Sequence, residues 1–289
     1  RKEFSMSETT WFITGASSGL GYALAEHVLK QGERVAMGAR TLGPMSDLAK
    51  RYPDTGLALK LDVTDPDQRV AAVQACSDHF GSVDVLVNNA AVDFLGAVEE
   101  QDEAAYRSTF EVNFFGPVEM MRLVLPGMRS RKRGTIVNIS SMDGLASVPV
   151  NGTYSASKFA IEGITETLWQ EIEPLGLRAF LVEPGSFRTG IETRSHFAGS
   201  VIDDYEATSG RFRRIMADIK PEQFPGDPAK GAAAIYQEVH AGGNRHHLIL
   251  GSDAYRLIGV KLNAIRSEFE SIKDLAFSTD YPDAGEAIL

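Results

Sequence analysis

An α/β fold built on one doubly wound parallel sheet, with helices on both faces, is what this sequence predicts. Three observations predict it. Apolar β-rich runs alternate with amphipathic helical patterns almost from the start, and such alternation calls for right-handed crossovers between parallel strands. A glycine-rich turn, "TGASSGLG" (14–21), lies between the first strand and the first helix. No low-complexity linker, repeat or composition shift interrupts the chain before about Gly190, so residues 6–289 are expected to form a single domain. The opening "RKEFS" precedes Met6 and reads as an expression remnant, set aside here.

The elements follow in order. "TTWFIT" (9–14) is a strand, "LGYALAEHVLKQG" (20–32) an amphipathic helix stopped by Gly32, and "RVAMGA" (34–39) a second strand. A helix near "MSDLAKRY" leads to the strand "GLALKL", and Pro66 after Asp65 opens a helix over "PDQRVAAVQACSDHF". "VDVLVNN" is a short buried strand. A long helical stretch runs from about Glu103 to Met128, where Pro117 is the place for a kink or a division. "TIVNIS" is the next strand, followed by a helix carrying Tyr154 to about Glu173. "RAFLVEP" and "HLILG" are the last strands, ahead of a C-terminal helical stretch.

Composition narrows the function classes. The chain has 289 residues, 43% hydrophobic and 24% charged, the profile of a globular protein with a sizeable core. A formal net charge of −10 opposes binding to nucleic acid or to anionic membrane, and no apolar run reaches the ~20 residues of a membrane span. The single cysteine, Cys76, lies in a helical run as a small buried hydrophobe and fits a reducing, cytoplasmic location. Two basic clusters run against the charge: "RSRKRG" (129–134), which reads as a solvated helix end, and "RFRR" (211–214), whose Arg211, Arg213 and Arg214 have no clear role. His246 and His247 precede a strand and are expected on opposite faces, and no other cluster has ligand spacing, so no metal site is predicted.

Two features carry chemistry. Glycines between strand and helix permit a tight turn and close approach of a pyrophosphate to helix N–H groups; no Gly-Lys-Ser/Thr follows, which excludes a Walker loop. In "GTYSASKFA" (152–160), Tyr154 and Lys158 fall one helical turn apart. Such pairs are common on ordinary helices, and the surroundings decide the reading. A phenol with a pKa of about 10 is a poor base near neutrality, and a cation one turn away favours its ionised form.

Those surroundings resemble the short-chain dehydrogenase/reductase family. TGxxxGxG spacing is followed by "LDVTD", "NNAA" (88–91), "FEVNFFG", "NISS", "YSASK" and "EPGSFRT" (183–189) in the family's order, over about Thr10 to Thr189. Ala91 departs from the family's glycine. The resemblance implies a Rossmann-type oxidoreductase. It implies a nucleotide held by Gly15, Ser17, Ser18, Gly19, Leu20 and Gly21, by Asp62 and Val63 near the adenine, and by Asn89 and Ala90. Pro184, Gly185 and Thr189 would meet the nicotinamide end. It implies Tyr154 as proton donor and acceptor, Lys158 as its electrostatic partner and ribose ligand, and Asn113 as the site of a water link to solvent. Ser140 and Ser141 adjoin, and family spacing favours Ser141 as the substrate-oxygen ligand, with Ser140 bonding backbone. Within the family the nearest resemblance is to steroid- and retinol-dehydrogenase-like members.

The predicted reaction is hydride transfer between NADP(H) and a secondary alcohol or ketone, with a bulky hydrophobic or aromatic carbonyl compound expected. An acid at the end of the second strand would hold the ribose hydroxyls of NAD. Here that place holds Ala39, followed by Arg40, which favours a 2′-phosphate and leaves NAD(H) possible. Residues 190–226 are expected to form a substrate lid, with Phe197, Tyr205, Phe212, Ile215 and Met216 as apolar walls. A homodimer or homotetramer is expected through helices 103–128 and 153–173, the second of which carries Phe159, Ile161, Ile164, Leu168 and Trp169. A non-catalytic nucleotide sensor is the alternative, opposed by the intact Ser–Tyr–Lys set; a sugar-nucleotide epimerase would resemble TGxxGxxG instead.

Overall fold

The structure is a computed structural model and describes residues 9–190, 196–197, 199–282 and 285. In chain order its elements are β1 (Thr10–Thr14), α1 (Gly19–Lys30), β2 (Arg34–Ala39), α2 (Gly43–Arg51), β3 (Gly56–Lys60), α3 (Pro66–Phe80), β4 (Val85–Asn88) and β5 (Phe94–Leu95). They continue with α4 (Glu103–Phe110), α5 (Gly116–Arg131), β6 (Thr135–Ile139), α6 (Gly152–Ile172), β7 (Arg178–Pro184), β8 (His196–Phe197), α7 (Arg211–Asp218) and α8 (Pro228–Ala241). β9 (His247–Leu250), α9 (Ser252–Ser271) and α10 (Lys273–Phe277) complete them.

Seven strands form one sheet in the order β3-β2-β1-β4-β6-β7-β9, and every pairing is parallel. Side chains alternate across it. Trp11 and Ile13 pack on the face covered by α1, α2 and α8, whereas Phe12 packs with Met120, Met128 and Trp169 on the face covered by α3, α5 and α6. Strand order reverses direction at β1, between β2 and β4, which opens a crevice at the strands' C-terminal ends.

The helical stretch after Glu103 is divided. A π-helical turn, Glu111–Phe115, separates α4 from α5, and Pro117 sits in the first turn of α5, where its missing N–H costs nothing. Asp65 caps α3 by accepting from Asp67 N and Gln68 N. Cys76 is fully buried, and burial pushes its thiol up to about 12. The cluster 129–134 ends α5, but Arg133 also pairs with the buried Asp84 at 2.9 Å, and Arg131 donates to Val83 O at 2.8 Å. Of the apolar residues expected to be spare on α6, Ile161, Leu168 and Trp169 are spent on the chain's own core; Phe159 stays exposed, near the level of Phe115 and Tyr106.

Helix α8 has no counterpart in the sequence reading, because its "AAAIYQEV" face mixes short and polar residues. It is docked on α1 through a buried acid. Glu33 is fully buried and accepts from Trp11 Nε1 at 2.5 Å and from the Tyr236 hydroxyl at 3.1 Å, with His240 Nε2 at 3.0 Å. Tyr236 also stacks on Trp11. Glu33→Ala would strand the indole and phenol donors in the core, at a cost of about 3 kcal/mol. Chemical denaturation should read that loss; a loss under about 1 kcal/mol would mean that α8 is held by apolar packing alone.

Candidate active site

The glycine turn is seated on the end of β4. Gly15 has φ +66°, and a Cβ there would stand 2.7 Å from Ala90 Cα. A Cβ on Gly21 would overlap Asn89 Nδ2 and stand 2.7 Å from Gly15 O. Only glycine allows this approach. The seat is hydrogen-bonded: Asn89 Nδ2 donates to Thr14 O and Gly15 O at 3.0 and 3.1 Å, while Thr14 Oγ1 accepts from Asn89 N and Ala90 N at 2.9 and 3.1 Å. Gly19 takes φ +59° at the start of α1. Ser17 is half-buried, Ser18 is exposed at the α1 N-cap, and Leu20 is in the core. The first N–H groups of α1 therefore face an open cradle, which fits a nucleotide pyrophosphate.

The other predicted nucleotide contacts border the same crevice. Asp62 turns its carboxylate on Thr64, accepting from its N and Oγ1 at 3.0 and 2.8 Å. Val63 packs against Gly116. Ala39 is buried at the end of β2 and Arg40 beside it is exposed. Pro184 ends β7, and Gly185 N donates to Leu250 O at 2.8 Å. Asp253, which the sequence did not single out, accepts from Ser186 N at 2.7 Å and fills the space a Gly185 side chain would need. Thr189 N donates back to Phe187 O at 2.8 Å.

Ser141, Tyr154 and Lys158 converge at the ends of β6 and α6. Lys158 is buried; its Nζ donates to Ile139 O at 2.8 Å and lies 5.6 Å from the Tyr154 ring centroid. Ser141 Oγ accepts from Asp143 N at 3.1 Å and lies 3.3 Å from Asp143 Oδ2. The Ser140 hydroxyl, expected on backbone, instead faces the Glu162 carboxylate over Gly144. The expected lowering of the Tyr154 phenol is overridden. Burial raises it, Asp93 and Asp143 raise it further, and the Ser141 hydrogen bond opposes them. Burial also lowers Lys158, to about 8, against the pull of Glu162, Asp93 and Asp143. The phenol is thus held in its protonated form.

Asn113 lies in the π turn, fully buried. Its Oδ1 accepts from Val92 N at 2.9 Å, and its Nδ2 donates to Val92 O at 2.9 Å and to Ser157 Oγ at 3.0 Å. It thereby ties the segment after β4 to α6. The π turn aims this amide inward, which is the physical reason the helix is divided there.

The segment expected as a lid is anchored by an acid that the sequence reading passed over. Residues 191–195 and 198 of that stretch lie outside the described residues. Glu100 is buried and accepts from Ala97 N at 2.9 Å, Ile202 N at 3.0 Å, Arg213 Nη2 at 2.8 Å and the Ser209 hydroxyl. Arg213 also lies over the Phe197 ring, and Arg214 pairs with Glu206. Two of the three arginines are therefore committed within the chain. β5 pairs with β8, bringing Phe94 and Leu95 beside 196–197.

A cluster invisible to spacing also forms here. Glu162 on α6, Glu183 on β7 and His247 on β9 bring one ligand-type atom each within 4.8 Å of one another. His246 and His247 do not simply oppose each other: both rings touch Trp169, then reach Glu173 and Glu183, each at 2.6 Å. His246 precedes the strand, so strand alternation does not govern it.

Comparison with known proteins agrees with this geometry. A family model described as short chain dehydrogenase matches residues 9–197. The chain is 38% identical to a 3-ketodihydrosphingosine reductase of Bacteroides thetaiotaomicron, covering 77% of this chain and 80% of that protein. It is 36% identical to retinol dehydrogenase 8 of Homo sapiens, covering 76% and 66%. A short-chain dehydrogenase from Streptomyces avermitilis superposes with a TM-score of 0.86 at 38% identity, covering 96% of this chain and 100% of that one.

Burial pushes Glu100 up, but its four donors more than offset this and hold it at about 2. Its contribution is complete above the ordinary carboxylate range and is lost as pH falls from about 4.5 towards 2. Amides of 200–202 should therefore lose hydrogen-exchange protection over that acid range, after correction for intrinsic rates. Glu100→Gln should show the same loss at neutral pH. Full protection in Glu100→Gln would remove the anchor role.

Proposed function

The chain belongs to the short-chain dehydrogenase family and is an oxidoreductase, and from that premise we propose that it reduces a bulky, apolar ketone with NADPH. One observation carries the reading. The Tyr154–Lys158 helix and Ser141 open onto the same strand-end crevice as the glycine cradle. A nicotinamide nucleotide bound there supplies the hydride. Ser141 donates a hydrogen bond to the substrate oxygen, and Tyr154 Oη delivers the proton as that oxygen gains charge. Lys158 holds the ribose and supports the phenolate left behind.

The substrate reading rests on the half-buried Phe94 and the exposed Phe197, which the β5–β8 pairing brings together next to the segment expected as the lid. Two relatives bear the names of enzymes acting on long apolar molecules, which supports it. Arg213 and Arg214 have partners in the chain, which weighs against a carboxylate substrate. NADP is preferred over NAD because buried Ala39 carries no acid and exposed Arg40 stands next to it. A homo-oligomer through α4, α5 and α6 is supported by exposed Tyr106, Phe115 and Phe159. No described helix is long and apolar enough to cross a membrane, which fits a cytoplasmic enzyme.

Tyr154→Phe should bind NADPH with little change yet lose turnover on an apolar aromatic ketone by ~10²-fold or more. Undiminished turnover would end the assignment. For the nucleotide, fluorescence titration should show NADPH bound at least ~10-fold more tightly than NADH, the worth of one charge-assisted hydrogen bond. Ala39→Asp combined with Arg40→Leu should reverse that order; tighter NADH binding by the unaltered chain would refute the preference.

A further inference from the structure

Lys158 is a buried cation whose one hydrogen bond to the chain goes to a neutral carbonyl, Ile139 O. No carboxylate lies within salt-bridge distance of it among the described residues. A buried ammonium still needs a counter-charge. The groups that face it are Tyr154 and Glu162 on its own helix, Asp93 after β4 and Asp143 after β6. Of the three acids, Glu162 acts most strongly, and it stands on the same helix face one turn beyond Lys158, as Tyr154 stands one turn before it.

Glu162 is not alone in its pocket. It is 7% exposed, and Glu183, fully buried on the neighbouring strand, shares the space. Both Glu162 oxygens and one Glu183 oxygen lack a hydrogen-bond partner of ordinary geometry. Ser140 lies beside Glu162. His247, its side chain 45% exposed, sets Nδ1 at 2.6 Å from Glu183 Oε1 and 3.8 Å from Glu162 Oε2, with Glu166 further along α6. Two ligands of one ion with bonds of about 2.1 Å stand about 3.0 Å apart at a right angle. The closer 2.6 Å contact is that of a hydrogen bond, so the trio is built to hold protons. Burial and the neighbouring Glu183 carboxylate both favour the proton on Glu162.

We propose that Glu162 is a positioning residue for the proton-transfer site: its carboxylate is the counter-anion that keeps Lys158 an ammonium, and Glu183 and His247 connect that carboxylate to solvent. The proposal rests on the Tyr154–Lys158 reading. A neutral Glu162 beside neutral Lys158 and an ionised Glu162 beside Lys158 ammonium hold the same number of protons, so the pair can interconvert without uptake from outside. Burial and Glu183 raise Glu162 to about 8, the same range as Lys158. As pH rises, the proton lost through His247 therefore leaves an anion just where the lysine would otherwise discharge.

This coupling gives two substitutions opposite signs. Glu162→Gln removes the anion, so Lys158 should discharge at lower pH by about one unit or more. Glu183→Gln relieves the repulsion on Glu162, which then ionises earlier and should move Lys158 to higher pH; Glu183 does not act on Lys158 directly. His247→Gln should lower the Lys158 midpoint, by less than Glu162→Gln. Exposed Glu166→Gln should not move it. Carbon NMR of labelled lysines, with the Lys158 signal assigned by its loss in Lys158→Arg, reads the midpoint without any substrate. The alkaline limb of turnover on phenanthrenequinone should move in parallel. Shifts of the same sign in Glu162→Gln and Glu183→Gln, or none in either, would overturn the proposal. If Tyr154→Phe keeps its turnover, the oxidoreductase chemistry falls instead, and the NMR result still stands or falls by itself.

Discussion

The site depends on a backbone approach that no side chain would survive. The turn after β1 and the segment after β4 close to contact at Gly15, Gly21, Asn89 and Ala90, and Thr14 and Asn89 lock them with four hydrogen bonds. The lock does two jobs. It leaves the N–H groups at the head of α1 unobstructed, and it fixes the direction in which the chain leaves β4. That exit passes Val92, which Asn113 clamps to the π turn and to Ser157 on α6. One continuous set of polar contacts therefore runs from the nucleotide cradle to the helix of Tyr154 and Lys158. The distance between cradle and phenol is set by hydrogen bonds to backbone, which tolerate little drift.

Period and punctuation made most of the fold legible. Buried parallel strands such as "TWFIT" and "VLVN" are apolar on both faces, and Asp65–Pro66 marks a helix start in the residues themselves. Helix α8 was not legible, because its apolar face is made of alanines and its anchor is an acid, Glu33, two hundred residues away. The same limit applied to the site. Residues joined by one helix turn or one strand end, such as Tyr154 with Lys158, can be read from spacing. Glu162, Glu183 and His247 come from three elements, and only the sheet order β6-β7-β9 brings them together. Spacing also misjudged the phenol. It showed the cation beside Tyr154, but not the desolvation of the half-buried phenol nor Asp93 and Asp143, which together decide the direction.

Buried acids recur wherever this structure fixes something that must not move. Glu33 docks α8, Asp84 gathers the arginines at the end of α5, Glu100 holds Ile202, Ser209 and Arg213, and Asp253 holds the turn after β7. Glu33, Asp84 and Glu100 each accept from several donors, so their charge is satisfied where it lies, whereas Asp253 accepts from Ser186 N through Oδ2 and its Oδ1 has no partner. Glu162 and Glu183 differ, since three of their oxygens lack partners. An acid that is fully bonded is a fastener. Glu162, short of donors in the same protein, instead lies one helical turn from the buried Lys158.

Backbone strain falls in the same neighbourhood. Val150, a buried β-branched residue, takes φ +67°, a conformation such residues avoid at a cost of order 1–3 kcal/mol. Its carbonyl accepts from Gly96 N at 3.0 Å, and Asn151 bridges Gly96. The strained residue thus joins the β5 segment to the first turn of α6, two residues before Gly152 and four before Tyr154. Asp143, buried beneath, is within reach of Ser141, Ser155 and Asn151. Strain, a raised phenol and a lowered lysine lie in the first turns of one helix, and a carboxylate pair short of donors lies one turn further along it and on β7. Elsewhere the two faces of the sheet alternate as a parallel sheet requires, with buried acids such as Glu33 and Asp84 met by donors. Strain and perturbed ionisable groups thus gather near Tyr154 and Lys158, where a fold shared by many chemistries carries the residues particular to this chain.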